Sequence, residues 1–410
     1  MASNTVSIMN EYKKNIKFIA YPVWINWGQK ENGEILKKQF CVIGIRDEKS
    51  NLEVIHPISD FILSKYGMRK YNTQRKRVNN VVKFLNYIVE NKNRLEVKSL
   101  SDITLSTGVN FLNSLFSSED TVREIERTLT QFYIYLSQTG CITQIPDSSF
   151  GKKENLRGDF YYTSPFKDVI YPSRKISKVE HTFPEKYIPL LFEIGIIKAN
   201  PIVLGLYLQL FGGLRVGEIV NLKRGGLKRK VKSGDILARI ENQLMRTDIK
   251  DSSGSSSVKV PRKQRIFQIK GWYDILYDDH IALYKDKDGS GALFVNRDGK
   301  AMSGKSYRQY FDKLKNHFID YLRNNGDAQD RILAQHLKIV KWSTHIGRGT
   351  FTNLVASESD NPMYIAFSRG DKDLMSALIY MAKTERMRKN IEKKFEEMHQ
   401  YYIPRLLEEE

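Results

Sequence analysis

Three short stretches of the sequence carry residues that suit the handling of a phosphate. In LFGGLRVGEIVNL (210–222), Arg215 follows Gly212-Gly213 and stands three residues before Glu218. In STHIGRGTFTNLV (343–355), His345 and Arg348 are three apart, a spacing that puts both on one helix face. A guanidinium and a protonated imidazole placed in this way are both donors and can grip one phosphate. In SRGDKDLMSALIYM (368–381), Tyr380 lies ten residues after Gly370. Each stretch alone also has a plainer reading. Arginines beside helix starts form surface salt bridges, His-x-x-Arg occurs by chance, and tyrosines at the end of helical runs pack.

Helices and turns must position these groups. Gly212-Gly213 ends one helical run, and Arg215 opens the next, which Glu218, Ile219 and Leu222 continue at helical spacing. Phe351, Leu354 and Val355 would turn the His345–Arg348 helix toward a core, and Gly370 marks a turn. The strand-rich stretch 235–270 lies between the arginine motifs, with SSGSSS (252–257) reading as a short flexible loop. Further upstream, Val78, Val81, Val82, Leu85, Ile88 and Val89 recur at three- and four-residue steps and line a helix, with Thr73 as its N-cap. Its first turns carry a basic rim of Arg75, Lys76 and Arg77. Further helices are expected over 109–116 and about 120–138, the latter stopped by Gly140. Before them, Ile16, Phe18 and Ala20 alternate, and Phe40 to Ile43 form a short apolar run, with a turn at Glu31-Asn32-Gly33 between the two. After them, 146–180 mixes Gly, Pro, Ser, Lys and Arg without a period and reads as a basic linker.

The chain has 410 residues, a length that suggests two or three domains. A hydrophobic share of 41% suffices for a sizeable core. The formal net charge of +19 points to a polyanionic partner, because surface Lys and Arg displace counterions from phosphates. Cys41 and Cys141 make no disulfide framework and fit a reducing cytoplasm, and no Cys/His cluster suggests a metal. No stretch approaches the ~20 apolar residues of a membrane span, and the N-terminus lacks the apolar run of a signal peptide.

Taken in order, Gly-Leu-Arg-x-x-Glu, His-x-x-Arg and Gly-x9-Tyr make the chain resemble the tyrosine recombinase (phage integrase) family over roughly residues 61–400. The resemblance implies that Arg215, His345 and Arg348 bind a scissile phosphate, that Tyr380 is the nucleophile, and that Glu218 has a structural role near Arg215. It also implies a lysine on a β-hairpin between the arginine motifs. In VKVPRKQRIFQI, Lys259 lies six residues before Arg265, the family spacing, with the strand-like IFQI following. Lys263 is the runner-up, and Lys263 and Arg265 are expected to contact DNA, as are Arg75, Lys76 and Arg77. The departures are Val260, Lys263 and the extra basic Arg262 in this motif, Gly349 where His often follows the second Arg, and Asp371 where His or Trp is usual. Asp371 makes the sixth catalytic position look degraded.

The implied fold is mainly α with a small antiparallel β-sheet (α+β), in which a helical core-binding domain and a tyrosine-recombinase catalytic domain form a C-shaped DNA clamp. The expected boundaries are a β-containing arm at 1–60, a helical core-binding (SAM-like) domain at 61–145, the basic linker at 146–180, and the catalytic domain at 181–410. The last of these includes a helical tail from about 382. The implied activity is site-specific recombination of duplex DNA through a 3′-phosphotyrosyl intermediate, without cofactor or metal. It goes with dimers or tetramers on DNA and a cytoplasmic, nucleoid-associated location in a bacterial or phage-infected cell. The alternative is a catalytically inactive DNA-binding regulator that keeps this fold.

Overall fold

The computed structural model describes residues 16–29, 33, 35–154, 158, 160–173, 179–229, 236–249, 251–269, 271–358 and 361–370. The chain divides into two compact units, Met1–Ile176 and Ser177–Glu410.

In the first unit, β1 (Ile16–Gln29), β2 (Ile35–Asp47) and β3 (Glu53–Ile55) form an antiparallel sheet in that order, joined between β1 and β2 through Gly33 at φ +82°. Four helices follow: α1 (Asp60–Tyr66), α2 (Tyr71–Leu95), α3 (Leu105–Asn113) and α4 (Glu119–Gln138). The expected apolar stripe of α2 is real, with Val78, Val81, Val82, Leu85 and Ile88 all buried. The helix begins earlier than its periodicity suggested. Lys70 is the N-cap, and Thr73 lies inside the first turn, its N–H donating to the Lys70 carbonyl at 2.8 Å. The second helix likewise starts early, where Thr104 caps the N–H of Thr107 at 3.2 Å. The third ends as expected, with Gly140 at φ +71° just beyond it.

The sheet and helices share one core, in which Phe18, Cys41, Ile43 and Ile45 pack with Val78, Val81, Phe84 and Leu85. Helix side chains also bind strand backbone. Asn86 pairs with both the N–H and the carbonyl of Phe18, at 2.8 and 2.9 Å, and Gln74 accepts from Cys41 N–H at 3.0 Å. Backbone groups that no strand partners are thus satisfied. The stretch expected to be a linker differs from that picture over its first part. Phe150 and Phe166 are buried in this same core, and β4 (Lys152–Glu154) pairs with β5 (Phe160–Tyr162) as a small hairpin.

The second unit comprises α5 (Ile188–Lys198), α6 (Val203–Gly212), α7 (Val216–Ile219), an antiparallel sheet of β6 (Leu227–Arg229), β7 (Ile236–Ile240) and β8 (Arg262–Ile266), then α8 (Trp272–Leu283), α9 (Gly304–Asn325), α10 (Ala328–Ile339), α11 (His345–Glu358) and α12 (Pro362–Arg369). Helix α6 runs through the middle of the core, with all ten of its residues buried. The serine stretch 252–257 is not a loose loop. Asp251 accepts from Ser253 and Ser256, Asn221 donates to the Ser256 carbonyl at 2.5 Å, and Ser255 is buried. Two glycines admit this loop, since a Cβ on Gly217 would lie 2.3 Å from the Ser257 carbonyl oxygen and one on Gly304 2.6 Å from that of Ser255. Among the described residues no helix is long and apolar enough to cross a membrane.

Candidate active site

The site is built on the end of α6. Gly213 caps that helix at φ +65°, a left-handed conformation that suits glycine, and a Cβ there would meet the Phe351 ring at 2.5 Å. Two residues later Arg215 caps α7. The Glu218 carboxylate reaches back to accept from the Arg215 N–H at 2.9 Å and from its Nη1 at 3.2 Å, the carboxylate half of a capping box, to which a guanidinium returns no acceptor.

Arg348 lies on the first turn of α11, as its spacing from His345 predicts, and is 5% exposed. Its Nη1 donates to the Gly213 carbonyl and its Nη2 to the Arg369 carbonyl at 3.0 Å. One guanidinium therefore joins the turn that presents Arg215 to the end of α12, where Gly370 follows as the C-cap at φ +64°. Phe351 and Val355 face the core as expected.

His345 opens α11. Desolvation, and after it the positive charges of Arg215, Arg348 and Arg308, hold its pKa below the ordinary imidazole value, with His181 a further neighbour. The neighbourhood of His345 therefore includes two residues, Arg308 and His181, that carried no motif. His181 explains one departure as well. A Cβ on Gly349 would fall 1.7 Å from the His181 carbonyl oxygen, so the residue after the second arginine has to be glycine here.

Strand β8 sorts the cations of the lysine motif between its two faces. Lys263 and Arg265 point outward and are exposed, while Gln264 and Ile266 are buried. Lys259 is exposed in a bend ahead of the strand, and the strand itself is 262–266 rather than IFQI. The cation on the inward face is Arg262. Its Nη1 and Nη2 donate to the two oxygens of Glu218 at 2.5 and 3.0 Å. Burial pushes the Glu218 pKa up, but the bonds and charge of Arg262 and Arg215 outweigh it and hold the carboxyl below its ordinary value. In the sequence Arg262 stands out only as an additional basic residue. The period-two alternation of 262–266 was the available signal, once the strand's start is known.

In the first unit, Lys76 pairs with Glu124, and Arg77 donates to Thr128 at 2.7 Å and lies 3.9 Å from Glu124, while Arg75 is half-buried. Two of the three rim cations therefore have acidic partners on α4. Tyr380, Asp371 and the expected tail from about 382 lie outside the described residues.

No family model and no curated protein sequence matches the chain. Solved structures do. The chain is similar to the Tn1549 transposon integrase in complex with transposon right end DNA, with 16% identity over 84% of this chain and 99% of that one and a TM-score of 0.52. It is similar to the XerH site-specific recombinase bound to palindromic difH substrate in a post-cleavage complex, with 15% identity over 80% and 81% of the two chains and a TM-score of 0.51. A second Tn1549 integrase complex, with circular intermediate DNA, matches at 18% identity over 82% and 98% and a TM-score of 0.50. The chain has the tyrosine recombinase fold, mainly helical with small antiparallel sheets.

Proposed function

We propose that the protein is a site-specific DNA recombinase of the tyrosine type, cutting and rejoining duplex DNA through Tyr380. The observation that carries this reading is the tie between Arg348 and the Gly213 carbonyl, which holds the two motif arginines in one site beside His345. Two guanidiniums aimed at one phosphate stabilise the charge that gathers on its non-bridging oxygens during displacement. The Tyr380 oxygen attacks phosphorus, the bond to the 5′-oxygen breaks, and a 3′-phosphotyrosyl link conserves the phosphodiester energy. The tyrosine proton leaves to solvent or His345, and the departing 5′-oxygen takes a proton from Lys259, or from Lys263 as the runner-up. The similar structures are complexes with difH substrate DNA after cleavage and with circular intermediate DNA, which agrees with this chemistry.

On this reading the helices of 61–145 are the core-binding part and 181–410 the catalytic part, and basic residues of 146–180 follow the DNA backbone. Both parts contact duplex DNA, as dimers or tetramers at a recombination site in the nucleoid. Arg75, Lys76, Arg77, Lys263 and Arg265 contribute phosphate contacts. Each contact adds about −0.9 to the log–log salt slope of binding.

The test is a suicide duplex carrying the binding site, found first by genome-wide occupancy, followed by denaturing electrophoresis. Wild type forms a covalent adduct, and Tyr380→Phe binds equally but forms none. If wild type binds and forms no adduct, the protein is the DNA-binding regulator, with Asp371 the first residue to convert to His.

A further inference from the structure

We infer that Gln209 is a positioning residue of the candidate site: its side-chain amide holds the Thr344 carbonyl, and through that peptide sets where His345 stands. The inference rests on the recombinase reading for its functional meaning, and on the following geometry for its substance. Gln209 is 1% exposed and lies on α6, all of whose residues are buried. An amide in such a place costs free energy unless it is hydrogen-bonded. Its Nε2 donates to the Thr344 carbonyl at 3.1 Å, and its Oε1 accepts from the Tyr307 hydroxyl at 3.1 Å, with all three residues buried. The roles are fixed by chemistry. A carbonyl only accepts, so the amide turns its NH2 to Thr344 and its oxygen to Tyr307. Burial pushes the Tyr307 phenol well above its ordinary pKa, so it keeps its proton and donates. The order therefore runs from Tyr307 to Gln209 to the peptide that joins Thr344 to His345.

An anchor at that peptide has a direct effect on the imidazole. His345 is the first residue of α11, and the N–H groups of a first turn have no partner within the helix. The His345 N–H reaches Ser343 Oγ at 3.4 Å, a long contact, whereas the carbonyl half of the peptide is held at 3.1 Å inside the core. Two glycines let the elements close on this pair. A Cβ on Gly347, between His345 and Arg348, would lie 2.8 Å from Gln209 Cβ, so the His-x-x-Arg turn packs bare backbone on this side chain. A Cβ on Gly205, one turn before Gln209 on α6, would lie 2.6 Å from the Tyr307 hydroxyl. The backbone of Gln209 serves the site as well. Its carbonyl accepts from the Gly213 N–H at 3.1 Å, and the Gly213 carbonyl accepts from Arg348. One residue of α6 thus carries the turn that presents Arg215 on its backbone and the start of α11 on its side chain. Without the amide, the Thr344 carbonyl loses this donor. The imidazole is then free to draw back from the cations around it, Arg215, Arg348 and Arg308, and from His181.

The test compares Gln209→Met and Tyr307→Phe with wild type in the full-length chain. Methionine keeps the length and volume of glutamine but neither hydrogen bond. Tyr307→Phe removes one hydroxyl and leaves the amide unanchored at its oxygen. The first readout needs neither DNA nor cleavage. It is the titration of the histidines, labelled with carbon-13 at Cε1 and followed by NMR, with His345 assigned from His345→Gln. In Gln209→Met the His345 pKa should rise toward the ordinary imidazole value by about half a pH unit or more as the ring leaves the cations, while His56 and His280 keep theirs. The second readout is adduct formation on the suicide duplex, which Gln209→Met should slow about 10–100-fold with DNA affinity held within about threefold. Tyr307→Phe should move both readouts the same way by less, and serves if Gln209→Met melts too low to assay. A His345 titration unmoved in every variant that folds would make Gln209 a merely structural residue and overturn the inference, whatever the adduct rate. So would a moved titration with an unchanged adduct rate, because the tie would then not serve the reaction. A wild type that forms no adduct, combined with the expected titrations, would leave the tie to His345 standing and remove the recombinase reading instead.

Discussion

Arg348 donates to the carbonyl of Gly213, two residues ahead of Arg215. Residues 135 positions apart in the chain are joined by this bond, so the second arginine of the signature builds the turn that presents the first.

The two arginines should therefore respond differently to truncation. Arg348→Ala leaves the Gly213 and Arg369 carbonyls without their buried donor, and should cost about 3 kcal/mol or more of stability. Arg215→Ala removes a partly exposed side chain and should change stability by no more than about 1 kcal/mol. Urea melts of both, next to adduct assays in which both are inactive, check the contrast. Equal stability losses would contradict it.

His345 should take up a proton when the site binds an anion. Desolvation and the surrounding cations hold its pKa down in the free protein, and a phosphate placed among those cations would raise it. Between the lowered and raised values, binding is then coupled to proton uptake and strengthens as pH falls. Titration calorimetry of duplex DNA near pH 6 in buffers of different ionisation enthalpy should report uptake, and His345→Gln should abolish that share of it.

Restoring the family's usual residue at Gly349 should harm the protein. Gly349→His, or even Gly349→Ala, sets a Cβ against the His181 carbonyl and should destabilise by roughly 2 kcal/mol or more. Gly225→Ala, which meets nothing within 4 Å, is the matched control and should stay within about 0.5 kcal/mol. Thermal melts of the pair decide the matter.

Each unit carries an acid-sensitive histidine. Burial lowers the pKa of His56 and of His280 to about 4. A group that stays neutral when folded takes its proton on unfolding, so its contribution is complete above the unfolded value near 6.5 and is lost as pH falls toward 4. His56 Nδ1 accepts the N–H of Ile58 at 3.1 Å, a bond that a protonated ring cannot make. His56→Asn keeps an acceptor and should remove roughly 1–3 kcal/mol of this acid lability. Melting profiles from pH 7 to 4 would show it as a flatter decline.

The parts of the site that sequence reasoning found are those fixed by local rules. Gly213 and Gly370 are helix caps at positive φ, and His345 and Arg348 share a helix turn. The parts it missed depend on register over distance. Arg262 faces inward because β8 begins there and pairs with β7 across a connection of more than twenty residues, and no local pattern announces that start. His181 enters the site because its backbone carbonyl fits against Gly349, a contact between segments 168 positions apart that no periodicity encodes. The serine stretch reads as flexible from its composition, but Asp251 and Asn221 give its backbone partners and two glycines leave it room.

The shared core of the first unit bears on how this chain can be cut and recombined at the level of its own gene. Phe18, Cys41, Ile43 and Ile45 fill space among the helices, and Asn86 and Gln74 are spent on strand backbone. A truncation beginning near residue 61 would strip these side chains and Ile58 from the core and deprive Asn86 and the Gln74 side-chain oxygen of their strand partners. The sheet is therefore not a detachable module that could be exchanged between relatives. A chimera that respects the two units joins partners at their boundary, Ile176/Ser177, and carries the sheet along with its helices.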